Sequence, residues 1–467
     1  MKFSKEDQIE FTVEKVTHES SGGFVFYESP DNHVLYVALL QKADGKFFIP
    51  KGHLLINETP ENTAIREIKE ELLLEDNPKI VAKLGVDNYT FTLLNDKRIH
   101  YKDVHLYVCV LEQKSIIKPL KSEGFIGAKW LKFDDALKKI TFDKNNLLKA
   151  RQYFYFSKQV QLFDKLEDLR SISVGVPTYN GSKIIYQTLQ SIIKSLNFLP
   201  KDVLKEIIVC YDHCTDSTDK TVKDFISTEN LKNIEVKLIY NEGVKGKSTA
   251  LNKIVSNSRS NILCFVDDDA ILEDNCILNL INAFISQKDL RCNYAKWERK
   301  PLNKTNIWRK FWHWIFGIKF DIQPYDKPSE IMRATCMMLR KESFVYMPDG
   351  LINDDQFLQY IYWPKTQEVQ NAILHFNSVS SVSDYYKRFI RIMSGCKQLD
   401  KEFTKDRLDK CNKDLFRKLD YKKILSLPLS QQLPFLFYRF VRLFVNLMVK
   451  IRLSFNKNYE WFRIKQD

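Results

Sequence analysis

Residues 52–74 read GHLLINETPENTAIREIKEELLL. Within this stretch Glu67, Glu70 and Glu71 follow the spacing i, i+3, i+4, which places three carboxylates on one face of a predicted helix. Like charges packed so closely destabilise an isolated helix, but a divalent cation bound between them makes the arrangement favourable. Magnesium or manganese suits such oxygen ligands and can polarise a phosphoanhydride and activate water. The stretch therefore suggests a metal-dependent hydrolytic site, although three glutamates alone more often mark a solvated helix face.

The wider spacing around these glutamates resembles the signature of the Nudix hydrolases. The matching positions are Gly52, Glu58, Arg66, Glu67, Ile68, Glu70, Glu71 and Leu74. Leu73 stands where that family has a glycine, a departure that concerns the loop after the helix more than the metal ligands. With the flanking segments FIPKGH and GAKWLKFDDALKKI, the resemblance covers residues 5–155 and implies a Nudix α/β/α sandwich.

By this resemblance, the predicted helix carries both metal ligands and catalytic groups. Glu67, Glu70 and Glu71 are expected to bind magnesium or manganese, and Glu70 and Glu71 also to act in catalysis. Arg66 is expected to orient a glutamate and to take part in catalysis, and Lys51 to lie near the phosphates of the substrate. The implied substrate is a nucleoside diphosphate derivative, whose identity depends on loops that the signature does not describe.

From Ile172 onward the pattern changes to buried apolar strands that alternate with predicted helices at 183–196, 218–228 and 247–257. This alternation indicates a mostly parallel sheet with helices on both faces. Four polar segments lie at strand ends or open a helix: VGVPTYNG (174–181), VCYDHCTDSTDKT (209–221), GKSTALN (246–252) and CFVDDDAIL (264–272). Because ligands of open α/β sheets bind outside the carboxyl ends of the strands, we expect all four segments to meet at one edge.

The residue types in these segments suit a nucleotide carrying a diphosphate. Asp267 and Asp269 lie two apart at a strand end, so that both carboxylates can reach one cation. Lys247 can add a second positive charge, and Asp212 can accept hydrogen bonds from the edge of a base. Each feature alone is weak evidence, since a strand-terminal Asp cluster is often only a solvated turn.

Taken in this order, the segments resemble family-two glycosyltransferases of the GT-A fold, a Rossmann-like architecture, over residues 170–395. The resemblance implies that Asp267 and Asp269 bind magnesium or manganese. The residues expected to contact the nucleotide-sugar donor are Thr178, Asn180, Asp212, Lys247 and Asp268.

Two downstream motifs extend this resemblance. The segment MPDGLINDDQFL (347–358) supplies Asp355 as the general base and Asp354, in place of the commoner glutamate, as a substrate contact. The segment KRFIR (387–391) resembles the family's Arg-rich acceptor or product motif without its usual Trp, and it supplies Arg388 and Arg391 as substrate contacts. The implied reaction is inverting transfer of a sugar to a lipid-linked or polysaccharide acceptor.

The positive charge of the chain is concentrated near its C-terminal end. The net charge is +13, and residues 382–467 carry 20 Lys and Arg against 9 Asp and Glu. The apolar stretch 427–453 is interrupted by basic residues, so it favours an amphipathic helix at an anionic membrane surface over a spanning helix. Residues 306–320, dense in Trp and Phe, are a second candidate for membrane contact. The alternative for both stretches is packing on the catalytic domain.

The N-terminal sequence MKFSKEDQIE has no apolar signal region, and the nine Cys are scattered without paired spacing. These features predict a cytoplasmic protein, held peripherally on the inner face of the membrane. We expect an α/β protein with three parts: a Nudix domain at 1–158, a GT-A domain at 170–395 and a basic amphipathic helical extension at 396–467.

Two other interpretations of function stay open at this point. In one, the Nudix domain is a nucleotide-sensing or scaffolding module without turnover. In the other, the chain is a basic RNA-binding protein whose Nudix site acts on RNA ends, with tail aromatics stacking on bases. The glycosyltransferase motifs argue against nucleic acid as a partner.

Overall fold

The computed structural model describes residues 15–91, 98–158, 164–229, 231, 233–299, 306–326, 331–333, 335–376, 379–415 and 417–455. The described chain divides into two compact units, one ending at Ser157 and the other beginning at Lys158, except that residues 31–33 group with the second. The predicted parts of the chain before residue 15 and after residue 455 lie outside the described residues.

The N-terminal unit is a sheet with helices on both faces. Its elements are β1 (Lys15–Glu28), β2 (Leu35–Lys42), β3 (Phe47–Phe48), β4 (Lys51–His53), α1 (Pro60–Leu72), β5 (Lys79–Phe91), β6 (Ile99–Val110), β7 (Phe125–Lys132), α2 (Phe133–Lys139) and α3 (Lys144–Ser157). The strand order is β3-β2-β1-β6-β5, with β4 paired to β1 and β7 to β2. On one face α1 buries Ile68 in a cluster with Val25. On the other, Phe26 contacts Phe133 of α2 and Phe154 of α3, which confirms the predicted α/β/α sandwich.

The local sequence explains both ends of α1. The hydroxyl of Thr59 accepts the backbone N–H of Asn62 at 3.3 Å, and Pro60 occupies the first turn, where its missing N–H costs nothing. The helix ends at Leu73, whose φ of 47° is left-handed, the conformation that favours glycine at this position. The charged sequence at 146–168 predicts a helical connector, but α3 ends at Ser157 and residues 166–168 form a 3₁₀ turn, while residues 159–163 lie outside the described residues.

The C-terminal unit is built on an eight-stranded sheet. Its strands are β8 (Ser171–Thr178), β9 (Leu204–Tyr211), β10 (Ile234–Tyr240), β11 (Ile262–Val266), β12 (Ile271–Leu272), β13 (Cys292–Arg299), β14 (Cys336–Arg340) and β15 (Thr366–Phe376). The strand order is β10-β9-β8-β11-β14-β13-β15-β12. The pairs from β10 to β11 are parallel, whereas β14 is antiparallel to both neighbours. The α/β class predicted for this half is confirmed, with a sheet that is parallel on one side and mixed on the other.

In the described part of the C-terminal unit, ten helices accompany this sheet. They are α4 (Ile185–Leu196), α5 (Thr218–Thr228), α6 (Lys247–Asn257), α7 (Cys276–Ser286), α8 (Ile307–Asp321), α9 (Asp354–Tyr362), α10 (Val382–Glu402), α11 (Lys405–Leu415), α12 (Tyr421–Ser426) and α13 (Leu429–Phe455). The predicted helices at 183–196, 218–228 and 247–257 match α4, α5 and α6 to within two residues. The predicted extension begins at residue 396, which lies inside α10.

Helix α13 is apolar on two sides. One side packs with α8 and α10 through Phe435, Tyr438, Val441, Val445 and Val449. The other side is exposed and carries Leu429, Leu433, Leu436, Phe437, Phe440, Leu443, Phe444, Leu447, Met448 and Ile451. The predicted alternative of packing therefore holds for one side of this stretch, and its other side is exposed. Among the described helices, none is long and apolar enough to cross a membrane.

Candidate functional sites

Arg66 is the centre of the acidic cluster on α1. Its Nε and Nη2 donate to the two carboxylate oxygens of Glu58 at 2.9 and 2.8 Å, a bidentate pair that lowers the pKa of Glu58 to about 2. Its Nη1 donates to Glu67 at 2.7 Å and to Glu70 at 3.0 Å. One guanidinium thus donates to two of the three predicted metal ligands.

The third glutamate is held from the strand side. Glu71 is 6% exposed and accepts the backbone N–H of Lys51 at 2.9 Å. Burial raises the pKa of Glu71 to about 8, and burial also raises the pKa of Glu67 although the hydrogen bond from Arg66 opposes that shift, because desolvation disfavours the charged form of a carboxyl group. A Cβ on Gly52 would lie 2.1 Å from the Glu67 carboxyl group, so only glycine allows β4 to approach the Glu67 side chain of α1 this closely.

These observations fit a divalent cation. The charge of Glu70 acts on Glu67 and the charge of Glu67 acts on Glu71, two of these three carboxyl groups are desolvated, and hard oxygen ligands of this kind suit magnesium or manganese. The Lys51 side chain lies beside this cluster, with its ammonium 3.9 Å from Asp143 and 5.8 Å from the ring centre of Tyr89.

Lys247 is the centre of the second site, in the C-terminal unit. Its ammonium lies 2.7 Å from Asp267 at the end of β11 and 3.1 Å from Asp354 in the first turn of α9. Burial alone would lower the pKa of Lys247, but the two carboxylates outweigh burial and raise it. Three of the predicted residues, more than 100 positions apart at the extremes, therefore meet at one point.

The loop before Lys247 is shaped by buried hydrogen bonds. Gly246 has a φ of 151°, and its N–H donates to the carboxylate of Asp212 at 3.0 Å. Asn241, at the end of β10, donates its side-chain amide to the same carboxylate at 2.7 Å. Asp212 is buried, so in this structure it holds the loop that positions Lys247, while its predicted contact with a base stays a prediction.

Thr178, Asn180 and Asp268 lie at the same edge of the sheet. The hydroxyl of Thr178 donates to Asp268 at 2.6 Å, and both residues are buried. Asn180 accepts the backbone N–H of Thr215 at 2.7 Å, which ties the loop after β8 to the loop after β9. The structure therefore places these predicted donor contacts together.

Asp355 lies next to Asp354 in the first turn of α9. Burial and the neighbouring Asp354 carboxylate raise the pKa of Asp355 to about 6, whereas the charge of Arg391 lowers it. The carboxamide of Asn353 donates to the Ile392 carbonyl at 3.2 Å, and this contact fixes α10 against the start of α9. Arg391 is thereby brought to Asp355.

Arg388 lies one turn before Arg391 on α10. Its guanidinium carbon is 5.8 Å from the ring centre of Trp297, and the charge of Asp269 acts on it. Asp267 and Asp269 offer hard oxygen ligands two residues apart, so the chemistry of the donor set also fits a divalent cation here.

Comparison with known proteins agrees with both parts of this geometry. Residues 19–150 match the family profile described as NUDIX domain, and residues 173–346 match the profile described as Glycosyl transferase family 2. The chain joins a NUDIX domain to a family 2 glycosyltransferase domain.

Curated relatives match part of the glycosyltransferase portion. The Bacillus subtilis protein named "Probable glycosyltransferase YdaM" is 30% identical over 160 residues, which is 34% of this chain and 37% of the relative. The poly-beta-1,6-N-acetyl-D-glucosamine synthase of Staphylococcus epidermidis is 27% identical over 152 residues, 32% of this chain and 34% of the relative. The chain thus spans about a third of the length of these relatives.

A solved structure of the mannosyltransferase PcManGT from Pyrobaculum calidifontis, in complex with GDP-Man and Mn2+, is also similar. The two sequences are 15% identical, and the match covers 70% of this chain and 87% of the mannosyltransferase chain with a TM-score of 0.40.

Several positioning residues of the glycosyltransferase domain were not predicted from the sequence. Asn252 exchanges two hydrogen bonds with the backbone of Met347, at 2.8 and 3.0 Å, and so fixes the segment that leads to Asp354. Asn241 and Asn353 act similarly on the loops described above. Asn241 directly follows a strand, so the strand-end rule could have identified it. Asn252 is the last residue of the GKSTALN segment, so that motif could have identified it.

Proposed function

We propose that this protein is a bifunctional enzyme. The glycosyltransferase domain transfers a sugar from a nucleotide-diphosphate donor with inversion, and the NUDIX domain hydrolyses a nucleoside diphosphate derivative. The observation that carries the first activity is the Lys247 ammonium held between Asp267 and Asp354 beside Asp355. We keep 1–158, 170–395 and 396–467 as the proposed domain boundaries.

The donor diphosphate is proposed to bind at the edge that carries Lys247. Its ammonium supplies a fixed positive charge where the leaving diphosphate accumulates negative charge. Asp267 and Asp269 would hold magnesium or manganese, which would add further positive charge at the same group. Thr178, Asn180, Asp212 and Asp268 line the nucleoside side of this edge.

Asp355 is proposed as the base. Its carboxylate takes the proton of the acceptor hydroxyl while that oxygen attacks the anomeric carbon and the bond to the donor diphosphate breaks. A pKa of about 6 leaves Asp355 mostly ionised at neutral pH yet close enough to the working pH to be an effective base. Asp354, bound to Lys247, holds the start of α9 at the donor.

The NUDIX domain is proposed to be an active hydrolase. Glu67, Glu70 and Glu71 would hold magnesium or manganese, which would activate water and polarise the phosphoanhydride. Arg66 keeps Glu67 and Glu70 oriented, and its hydrogen bonds support catalysis over a purely sensing role. Lys51 is proposed to lie near the substrate phosphates.

The exposed side of α13 is proposed to bind an anionic membrane surface. Exposed Trp308 and Trp314 of α8 belong to the same helical layer, since the ring centres of Phe311 in α8 and Phe437 in α13 lie 6.2 Å apart. Aromatic side chains and flanking basic residues favour the headgroup region. This placement supports a lipid-linked acceptor, and the name of the Staphylococcus epidermidis relative supports polysaccharide assembly as an alternative destination of the sugar.

The test is a screen of nucleotide sugars and nucleoside diphosphate derivatives with magnesium or manganese, reading thermal shift and product release. We expect one class of nucleotide sugar to stabilise the wild type and a Lys247→Gln variant to lose that shift. Hydrolysis of a nucleotide substrate should survive Lys247→Gln. If no nucleotide sugar binds, the proposed transferase activity is wrong, whatever the NUDIX domain does.

A further inference from the structure

Five basic side chains from five segments converge where α8, α10 and α13 pack together. They are Lys319 of α8, Arg333 before β14, Arg388 of α10, Arg417 after α11 and Arg442 of α13. Burial is the largest influence on the pKa of Lys319, and the charges of the four arginines come next. Burial and these charges together lower the pKa of Lys319 to about 7. We call this group the basic cluster.

Aromatic rings frame the basic cluster. The guanidinium carbons of Arg333 and Arg388 lie 4.9 and 5.8 Å from the ring centre of Trp297. The guanidinium of Arg417 lies 3.9 Å from the ring centre of Tyr325. Such stacking orders a guanidinium and leaves its in-plane N–H donors available to an anion.

Within the described ranges, none of these five cations has a carboxylate within the 4.0 Å of an ion pair. Acidic groups act on them only from further away: Asp269 on Arg388, Asp326 on Arg417, and Glu368 and Asp355 on Arg333. Half-buried like charges repel one another strongly because water screens them poorly. A bound anion would relieve that repulsion and satisfy the donors.

The basic cluster lies beside the proposed reaction centre. The charge of Asp269 acts on Arg388, and one turn later the charge of Arg391 acts on Asp355, so α10 connects the cluster to the proposed base. The helices that supply Lys319 and Arg442 also carry the exposed apolar residues of α8 and α13. An acceptor reaching Asp355 across these helices would place its first charged group at the cluster.

We propose that the basic cluster binds a phosphate or diphosphate group carried by the sugar acceptor. The inference rests on the proposed transferase function and adds the chemical class of its acceptor. Planar guanidinium groups match phosphate oxygens bidentately, and four arginines with one lysine exceed what a single carboxylate would need. The phosphate can belong to a membrane lipid or to a soluble phosphorylated acceptor.

The test measures binding of inorganic pyrophosphate to the full chain by calorimetry in metal-free buffer, which weakens binding at the donor edge. Lys319→Gln and Arg442→Gln should each weaken pyrophosphate affinity by about tenfold or more, because each removes a charge-assisted contact. The matched controls are Lys310→Gln on α8 and Arg452→Gln on α13, both exposed, which should leave the affinity unchanged. Arg442→Lys should retain most of it, and unchanged melting temperatures would show that the variants fold.

Flotation on vesicles identifies the source of the phosphate. Phosphatidylcholine vesicles with phosphatidic acid are compared with vesicles that carry phosphatidylserine at the same surface charge. A preference for phosphatidic acid that is lost in Arg442→Gln would indicate a lipid-borne phosphate. Equal flotation, with the pyrophosphate effect retained, would indicate a soluble phosphorylated acceptor.

Two results would overturn the inference. One is unchanged pyrophosphate affinity in both cluster variants, which would make the cluster structural. The other is a loss of pyrophosphate binding in Lys247→Gln alone, which would place the anion at the donor edge. Failure of every nucleotide sugar to bind would contradict the proposed transferase function. The pyrophosphate titration would still report independently on whether the basic cluster binds an anion.

Discussion

The ammonium nitrogen of Lys247 lies 2.7 Å from Oδ1 of Asp267. Lys247 opens α6 and Asp267 follows β11, so this ion pair joins a helix start to a strand end at the carboxyl edge of one sheet. The ion pair is partly buried, and the Lys247 ammonium also pairs with Asp354. Loss of the ammonium therefore leaves the carboxylates of Asp267 and Asp354 without the cation between them.

The first prediction is therefore that Lys247→Gln lowers sugar transfer by about 100-fold or more, because it removes a preorganised charge at the leaving diphosphate. Steady-state kinetics and donor titration would measure the loss. Lys253→Gln is the matched control, since this residue lies on the same helix and its ammonium lies 4.0 Å from the exposed Glu242. Equal effects of the two substitutions would contradict a specific role for Lys247.

A second prediction concerns the NUDIX domain. The pKa of Glu71 is raised from 4.5 to about 8 in the folded domain, so the unfolded chain loses this proton first and the stability of the metal-free domain falls as pH rises from about 4.5 to about 8. Glu71→Gln keeps the shape and removes the charge, so the metal-free variant should melt higher than the wild type at pH 8 and gain less from magnesium. Its hydrolysis should fall by about 100-fold.

The exposed Glu75→Gln is the control for this experiment and should behave as the wild type does. Glu70→Gln should also lose most hydrolysis, since Glu70 is one of the two predicted metal ligands that accept a hydrogen bond from Arg66. Wild-type turnover in both Glu70→Gln and Glu71→Gln would show that the acidic cluster is not the hydrolytic site.

The third prediction follows from the backbone of Leu73. A leucine at a φ of 47° is strained, and its side chain is exposed, so little packing is lost on its removal. Leu73→Gly should stabilise the NUDIX domain by about 1 kcal/mol. Leu55→Gly, at another exposed leucine without a positive φ, should destabilise it. Thermal unfolding compares the two, and a lower melting temperature for Leu73→Gly would argue against strain.

The fourth prediction concerns the exposed side of α13. Phe440 is 67% exposed, and Leu447 lies two turns further along the same side. Replacing both with Gln should reduce flotation on anionic vesicles at least tenfold, because each loses about 2 kcal/mol of apolar burial in the bilayer interface. Leu204→Gln, at an exposed leucine that begins β9, is the control.

These two substitutions test membrane binding more specifically than removal of the chain after about residue 425 would. Truncation would also remove Phe435, Tyr438 and Val445, which pack against α8 and α10. Flotation that is equal for the double variant and the wild type would place any membrane contact elsewhere, with exposed Trp308 of α8 the next candidate.

The parts of this architecture that local patterns encode could be predicted. Thr59 and Pro60 mark the start of α1, and the strand-end rule brings Lys247 and Asp267 to one edge without any knowledge of loops, whereas Asp355 came only from the family resemblance. The end of the connector helix could not be predicted, because the charged sequence after Ser157 keeps an apparently helical composition.

Long-range convergence was also beyond the sequence. Lys319 and Arg442 are separated by more than 120 residues, and their proximity depends on how α8, α10 and α13 pack. Asp212 shows the same limit in a smaller way. A strand-end Asp suggests a ligand contact, but only the structure reveals that its carboxylate accepts hydrogen bonds from Gly246 and Asn241.

The most direct test of the central claim compares Asp355→Asn with Asp267→Asn in the full chain, measuring donor binding and sugar transfer separately. We expect Asp355→Asn to bind the donor like the wild type while transfer falls by about 100-fold or more, because only the proton acceptor is removed. Asp267→Asn should weaken donor binding itself, since it removes a carboxylate from the site of the diphosphate and its cation. Wild-type transfer by Asp355→Asn would contradict the assignment of the base, and unchanged donor binding by Asp267→Asn would contradict the donor site.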